Sequence, residues 1–259
     1  MKRIMLGLLF DGQSFFLSRN FRLQKLGDLN WLRTNLQIFQ LASVVDEIVV
    51  FHIARGADTE SFVHPLQGLA EEIFIPLSVG GGIRSLEDAD RLFRAGADRI
   101  LFSETLWSNP SLVKSVGDKY GKQAVVGVMN FTSSEGGEIA IRSAERTRLG
   151  LGSPSAWDAD TLGALVGELV LQSIDRDGTG HGYPLEDLEK FAPLADLPWI
   201  ASGGFGLPEH FAQALLDERL QAALTSNLLA FVGTGLQLAR TQTIQSGVDL
   251  AEWETLPER

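Results

Sequence analysis

Short runs of aliphatic and β-branched residues alternate along the chain with longer stretches whose apolar residues follow helical spacing. Eight such runs read as strands, because they are short, rich in Val, Ile and Leu, and bounded by glycine or charge. They lie at residues 3–9, 47–53, 75–79, 99–102, 124–130, 168–174, 199–201 and 222–225. Helical spacing is clearest at residues 86–95 and 208–216. The alternation predicts an α/β fold of eight parallel strands, each followed by a helix, closed into a (βα)8 TIM barrel.

The two halves of the chain resemble each other at a fixed offset. The segment IPLSVGGG at 75–82 matches LPWIASGG at 197–204, an offset of 122 (197 − 75). At the same offset, GLLF at 7–10 falls on MNFT at 129–132. Chance similarity between ordinary βα units is the alternative explanation. We expect a single domain over residues 1–259, built from two half-barrel repeats.

Composition narrows the class of protein. The chain has 259 residues, of which 44% are hydrophobic, enough for one large core. It has no cysteine and only four scattered histidines, so we expect no disulfide, no metal site and no cofactor. The net charge of −11 argues against general nucleic-acid binding. No apolar run reaches the roughly 18 residues of a membrane helix, and no signal peptide is evident, so we expect a cytoplasmic protein without membrane contact.

Charge, glycine and hydroxyl groups follow the sixth predicted strand, in the sequence SIDRDGTG at 173–180. In α/β proteins ligands bind at the carboxyl ends of strands. Asp175 and Asp177 are therefore candidates for proton transfer or substrate orientation, and Gly178 for phosphate binding. His52, after the second strand, is a further titratable candidate, although a lone histidine there is more often structural.

Glycines and hydroxyls also follow the last two strands, at Gly203, Gly204, Thr225 and Ser226. Backbone N–H groups of glycine loops can approach a phosphate closely, and barrels often hold a phosphate at this position. The alternative is that the glycines only make tight turns.

The symmetry-related positions in the first half of the chain, Gly81, Gly82 and Ser103, predict a second phosphate cradle. Glu104 opposes a phosphate there by charge repulsion, so an uncharged or hydroxyl-rich group is the alternative ligand.

Four charged residues of alternating sign begin strands at the opposite, N-terminal face: Arg3, Glu47, Arg99 and Glu168. Such residues often only solvate the bottom of a barrel. They could instead close a salt-bridged ring around the barrel axis.

Five segments taken jointly are highly specific for one known family and run over essentially the whole chain. They are KRI at 2–4, VDEIVV at 45–50, SVGGGI at 78–83, SIDRDGTGHGY at 173–183 and IASGGFG at 200–206. On these segments the chain resembles the cyclase subunit of imidazole glycerol phosphate synthase, a (βα)8 barrel with half-barrel repeats. The resemblance implies a separate glutaminase subunit docked on the N-terminal face, with ammonia passing through the barrel to a small phosphorylated substrate. The family's gate of Arg, Glu, Lys and Glu falls on the four residues of the ring, with Arg99 in place of Lys.

The chain departs from the family at the carboxyl ends of the strands. The family's two catalytic aspartates align with Leu8 and Asn130, another aspartate is replaced by His52, and Asn-Thr of one phosphate site becomes Ser103-Glu104. Paralogues in surface-polysaccharide gene clusters share the first replacement. They are associated with glutamine-dependent conversion of a sugar acetamido group to an acetamidino group.

Three functions follow from the resemblance. The first is an ammonia-accepting synthase subunit that amidinates a nucleotide-sugar acetamido group, with Asp175, Asp177, Asn130 and His52 as its catalytic candidates. The second is imidazole glycerol phosphate synthase activity in histidine biosynthesis. The third is a catalytically inactive protein that binds a phosphorylated ligand and regulates the glutaminase.

Overall fold

Eight parallel strands close into a barrel in the computed structural model, which describes residues 1–36, 44–54, 59–72, 74–142, 159–231 and 233–251. The barrel strands are β1 (Arg3–Phe10), β4 (Glu47–His52), β5 (Leu77–Gly80), β6 (Arg99–Phe102), β7 (Val125–Ser133), β9 (Glu168–Ser173), β10 (Trp199–Ser202) and β11 (Leu220–Thr225). Each pairs in parallel with the next in this order, and β11 pairs with β1 to close the sheet. The predicted (βα)8 barrel is confirmed.

Three further strands were not predicted: β2 (Phe15–Arg19), β3 (Arg22–Gly27) and β8 (Ile139–Arg142). The strands β2 and β3 form an antiparallel hairpin that extends β1, and β8 pairs antiparallel with β7. The first strand of each half-barrel is therefore extended in the same way, which agrees with the predicted half-barrel repeat.

Helices cover the outside of the barrel. The described residues form α1 (Leu29–Leu36), α2 (Glu60–Glu72), α3 (Leu86–Arg94), α4 (Thr105–Ser108), α5 (Pro110–Tyr120), α6 (Ala159–Gly163), α7 (Pro208–Leu215) and α8 (Gly235–Gln245), with 3-10 segments at Lys122–Ala124, Leu185–Leu194 and Leu228–Phe231. The helix α3 begins at a capping box, in which Ser85 Oγ accepts from Asp88 N and Asp88 Oδ2 accepts from Ser85 N. After β9 the chain forms a 3-10 segment instead of an α-helix, and Pro193 inside it is incompatible with regular helical bonding.

The strands separate two cores. Outward-facing residues such as Ile4, Leu6 and Leu8 pack in the large core between sheet and helices. A smaller apolar cluster fills the barrel interior: Met5, Val49, Leu101, Val126, Val128, Val170, Ile200, Ala222 and Leu224. Because side chains alternate along a strand, these two clusters fix which face each neighbouring residue takes.

Candidate functional site

A closed ring of charge seals the N-terminal end of the barrel interior. Arg3 contacts Glu47 at 3.2 Å (Nη1 to Oε2) and Glu168 at 2.6 Å (Nη2 to Oε1). Arg99 contacts Glu168 at 2.5 Å (Nη1 to Oε2) and also Glu47. Ser78 Oγ donates to Glu47, and Arg99 Nε donates to Ser78 Oγ at 3.1 Å. Each arginine thus bridges both glutamates, as an alternating ring requires.

Charge pairing maintains the ionised state of this ring. Burial alone would lower the pKa of Arg99, but the charges and hydrogen bonds of Glu47 and Glu168 raise it above its ordinary value. Burial alone would raise the pKa of Glu168, but Arg99 and Arg3 hold it below its ordinary value. The side chain of Glu47 is 2% exposed, so any opening of the ring must leave a buried carboxylate with fewer partners.

At the C-terminal end, the interior is lined by uncharged side chains. Counting by twos from the ring residues reaches Leu9 on β1, Phe51 on β4 and Gln172 on β9, and counting by twos from the interior residue Val128 reaches Asn130 on β7. Register supports this placement: Leu9 pairs with Phe51, which packs on the interior cluster, and Asn130 pairs with Gln172. Asn130 is 3% exposed and its Nδ2 donates to Ser103 Oγ at 3.3 Å.

The residue opposite Asn130 is Leu9 and not Leu8, which corrects the alignment made from sequence. Leu8 is fully buried in the outer core, and its neighbour in register is Val50, another member of that core. The offset of 122 used for the repeat assigned Leu8 to Asn130, whereas the inward-facing residues differ by 121 (130 − 9). The conclusion that no carboxylate stands at either position is unchanged.

His52 lies outside the barrel wall, which differs from the expectation of a residue at the mouth. It pairs in register with Phe10 of the outer core and is buried against helix α2. Its ring stacks on that of Phe62, with centroids 4.6 Å apart and planes inclined by 4°. The residue therefore packs between strand and helix, one position away from the inward-facing Phe51.

The two aspartates after β9 have different environments. Asp177 is 5% exposed, and its Oδ2 accepts from Ser18 Oγ at 2.5 Å and from Phe21 N at 2.9 Å. Asp175 is exposed, and its Oδ2 accepts from Ser133 N at 2.8 Å. Asp177 thus fastens the β2–β3 hairpin to this loop, while Asp175 lies at the solvent-facing edge of the mouth.

Glycine is required at position 178 because the β2–β3 hairpin packs directly against the loop after β9 there. The φ of Gly178 is +65°, and a Cβ there would lie 2.1 Å from the carbonyl oxygen of Ser18. Only glycine lets the hairpin approach so closely.

The predicted phosphate residues of the second half surround one small cleft. Its lining includes Ser18, Gly178, Gly203, Gly204 and Ser226. Gly203 and Gly204 have φ of +99° and +97°, conformations that favour glycine.

Thr225 also lines this cleft, but its hydroxyl is used within the protein. Thr225 Oγ1 donates to Phe205 O at 3.3 Å and accepts from Asn227 N at 3.2 Å. It therefore orders the two loops that form the cleft.

In the first half, Gly81 and Gly82 repeat the backbone conformation of Gly203 and Gly204, with φ of +102° and +74°. A Cβ on Gly81 would lie 2.1 Å from His52 O, just as one on Gly203 would lie 2.5 Å from Ser173 O. Close loop packing therefore accounts for Gly81 without a bound phosphate. Ser103 bonds to Asn130 and Glu104 is exposed, so this half provides a mixed polar environment.

Comparisons with known proteins agree with this geometry. A family model described as histidine biosynthesis protein matches residues 36–233. The chain belongs to this family. It is 36% identical over 265 residues to a putative imidazole glycerol phosphate synthase subunit hisF2 of Parasynechococcus marenigrum, covering 98% of this chain and 95% of that protein.

Two HisF subunits of imidazole glycerol phosphate synthase, from Acidobacterium capsulatum and Trichormus variabilis, are each 36% identical, over 73% and 72% of this chain and 75% and 74% of their own lengths. The resemblance drawn from the five segments is confirmed: the chain is a HisF-like barrel.

The inward-facing Phe51 and Gln172 of this HisF-like barrel were not identified from sequence. A signal was available, because Glu47 and Glu168 face inward and each lies four residues before one of them on the same strand. Ser18 was missed because it belongs to the unpredicted hairpin.

Within the described residues, no group of three or more His, Asp or Glu side chains is arranged to hold a metal ion. No helix of that part of the chain is long and apolar enough to span a membrane.

Proposed function

We propose that this HisF-like barrel is the ammonia-accepting subunit of a two-component glutamine-dependent synthase, and that it aminates a phosphate-bearing substrate. The single observation that carries the proposal is the order of three features along the barrel axis. A closed charged ring lies at the N-terminal end, an apolar interior follows, and an uncharged mouth beside a glycine-lined cleft lies at the C-terminal end.

The interior suits ammonia as the species that passes. Met5, Val49 and Val128 are among the apolar side chains that line it, so a charged ammonium ion would lose its hydration there without compensation. Uncharged ammonia carries no such penalty. Entry requires a side chain of the ring, Arg3, Glu47, Arg99 or Glu168, to move aside, so the ring acts as the gate.

The partner is a glutaminase subunit that docks on the N-terminal face. Among the described residues, three large apolar side chains are exposed on segments that precede barrel strands and therefore lie at this face: Met1 (77%), Phe74 (89%) and Leu216 (56%). Exposed apolar residues around a ring-closed channel entrance suit a protein interface. Docking here would place the ammonia source at the gate.

The substrate is a small phosphorylated compound bound at the opposite face. Backbone and hydroxyl groups of Gly178, Gly203, Gly204 and Ser226 hold its phosphate, with Thr225 ordering the loops. The lining of the mouth argues against ring closure by a carboxylate pair, because Leu9 and Asn130 occupy the two opposed inward positions. We therefore favour amidination of a nucleotide-sugar acetamido group, as in surface-polysaccharide biosynthesis: ammonia adds to the carbonyl carbon and the carbonyl oxygen leaves as water.

Catalytic work is assigned to Asn130 and Asp175, the two candidates whose side chains lie at the mouth or its edge. Asn130 orients the acceptor, and Asp175, an exposed carboxylate in the loop after β9, handles protons.

Co-purification and isotope transfer test the proposal. A tagged chain should retain a glutamine-hydrolysing partner, and amide-labelled [15N]glutamine should deliver label to a nucleotide-linked N-acetyl sugar, detected by mass spectrometry. Absence of both the complex and label transfer would refute the proposal. Ligand binding without turnover, together with a changed glutaminase rate, would support a regulatory role instead.

Imidazole glycerol phosphate synthase activity is a second candidate, supported by the names of the relatives. Complementation of a histidine auxotroph that lacks its own cyclase subunit tests it. Growth would show that the chain can close the imidazole ring with Leu9 and Asn130 at the mouth.

A further inference from the structure

A cavity lies on the outer side of the barrel wall, between strands β1 and β4 and helices α1 and α2. Its volume is about 220 Å³. Its inner part is lined by buried apolar side chains of the outer core, among them Phe10, Phe15, Phe62, Leu66 and Leu69. None of its lining residues belongs to the glycine-lined cleft or to the apolar cluster of the barrel interior. The cavity is therefore separate from the site already described.

Three phenylalanine rings form one wall of this cavity. The ring centroids of Phe10 and Phe15 are 4.5 Å apart, and those of Phe10 and Phe62 are 5.9 Å apart. A water molecule held in a cavity needs about two to four polar partners, and these rings offer none. An apolar cavity of about 150 Å³ is large enough to bind benzene, so the larger cavity here has room for one ring with a short chain. Its inner part thus favours an apolar body over water.

The opening of the cavity carries a negative charge. The exposed lining residues Gln13, Asp28 and Asn30 mark where the cavity meets solvent. Asp28 Oδ1 accepts from Trp31 N at 2.9 Å, and no described residue donates to Asp28 Oδ2. Asn30 Oδ1 already accepts from Arg33 Nη1 at 3.1 Å, and no Lys, Arg or His in the described part of the chain lines the cavity. The opening therefore favours a cation over an anion, as the net charge of −11 does over the whole protein.

We propose that this cavity binds a small amine with a ring-sized apolar body, at a site distinct from that of the substrate. The apolar body packs against Phe10, Phe15 and Phe62, and the protonated amino group donates a charge-assisted hydrogen bond to Asp28 at the opening. A carboxylate or phosphate in the same place would meet Asp28 with like charge. The site is independent of the proposed function, because none of its lining residues lines the cleft or the barrel interior.

Three probes that share a phenyl body and differ in charge test the site: phenethylamine, phenethyl alcohol and hydrocinnamate. In isothermal titration calorimetry at about 0.1 M salt, the amine should bind about fivefold more tightly than the alcohol, as expected for one exposed ion pair, and the carboxylate should bind most weakly. At about 1 M salt the difference between amine and alcohol should shrink to about twofold or less, because salt screens the charge. Hydrogen-exchange mass spectrometry should show that the bound amine slows amide exchange at residues 10–15 and 60–72, which contribute side chains to the cavity.

Two variants test the two parts of the cavity separately. Leu69→Trp fills the inner part and should weaken binding of both the amine and the alcohol by about tenfold or more. Asp28→Asn keeps an oxygen for Trp31 N but removes the charge, so the amine should lose its advantage of about fivefold while the affinity for the alcohol is unchanged. The matched controls are Leu238→Trp and Asp160→Asn, which alter exposed residues of α8 and α6 outside the cavity and should leave all three affinities unchanged. Circular dichroism melting curves verify that each variant is folded.

Failure of all three probes to bind at millimolar concentration would overturn the inference, and so would equal affinities for the amine and the carboxylate. Unchanged binding in a folded Leu69→Trp protein would show that the probes bind elsewhere. If Leu69→Trp does not fold, Asp28→Asn decides, because it alters only the exposed opening: an undiminished preference for the amine would overturn the inference. None of these measurements needs a glutaminase partner or turnover, so their outcome is separable from that of the proposed function.

Discussion

The fastening of the β2–β3 hairpin by Asp177 gives a prediction whose size follows from the contacts. In Asp177→Ala, Ser18 Oγ and Phe21 N lose their common acceptor, to which they donate at 2.5 and 2.9 Å. Leaving a buried donor unsatisfied costs about 1–3 kcal/mol, so the two together cost roughly 2–6 kcal/mol. Water will reach part of this site once the hairpin lifts, so we expect the lower half of that range.

The loss should appear as local opening of the hairpin and not as unfolding of the barrel. A cost of about 2 kcal/mol raises the population of the open state roughly thirtyfold, and amide exchange in peptides covering residues 15–27 should accelerate by a similar factor. Hydrogen-exchange mass spectrometry measures this directly. Asp177→Asn retains one acceptor and should have a smaller effect.

Asp175→Ala is the matched control, since Asp175 is exposed and accepts from Ser133 N outside the hairpin. Its hairpin peptides should exchange as in the unmodified protein. If the Asp177→Ala and Asp175→Ala proteins exchanged alike over residues 15–27, the fastening role of Asp177 would be wrong.

Three further predictions concern the ring and the cleft. Arg99→Ala leaves Glu47 and Glu168 with one partner fewer and should lower the free energy of unfolding, measured by urea denaturation, by about 2–4 kcal/mol. Arg99→Lys keeps the positive charge and should lower it less. Equal losses in the two variants would show that the charge of residue 99 does not stabilise the ring. The pKa of Glu168 is lowered in the folded state, so its contribution is complete above its unfolded pKa of about 4.3 and disappears as pH falls through the lower folded value. As the pH is lowered from about 6 to 3, the free energy of unfolding should therefore fall less steeply in Glu168→Gln than in the unmodified protein. An equal pH dependence in the two proteins would show that Glu168 does not contribute in this way. In Gly7→Ala the new Cβ would stand 2.2 Å from Ser226 Oγ, so this hydroxyl must rotate and the affinity for inorganic phosphate should fall several-fold. In the control Gly68→Ala the new Cβ meets nothing within 4 Å, so the affinity should not change. Equal affinities of the two variants would show that Ser226 does not contact phosphate.

The barrel was predictable because its strands are short apolar runs bounded by charge and glycine. Arg3, Glu47, Arg99 and Glu168 were recognised as strand starts, and the structure closes them into one ring. The sequence also placed Gly203, Gly204, Thr225 and Ser226 together, and the structure shows them lining one cleft, whose binding of phosphate stays a prediction. Local patterns sufficed for these features because each depends on where a strand begins or ends.

Features that depend on register or on an unusual turn were not predictable in the same way. The hairpin turn places Asn20 and Phe21 at φ of +49° and +60°, and Phe21 stands where glycine normally signals such a turn. The inward direction of Phe51 and the outward direction of His52 differ by one residue of register, which an apolar run buried on both faces does not reveal.

The hairpin β2–β3 and strand β8 are continuations of β1 and β7, the strands that also hold Leu9 and Asn130. These added strands and the residues that line the mouth therefore share one backbone. A single inserted residue between Leu9 and Phe15 could be absorbed as a bulge or would turn every later side chain of the hairpin to the opposite face. The structure thus tolerates a change of length mainly at the hairpin tip, beyond the paired residues of β2 and β3.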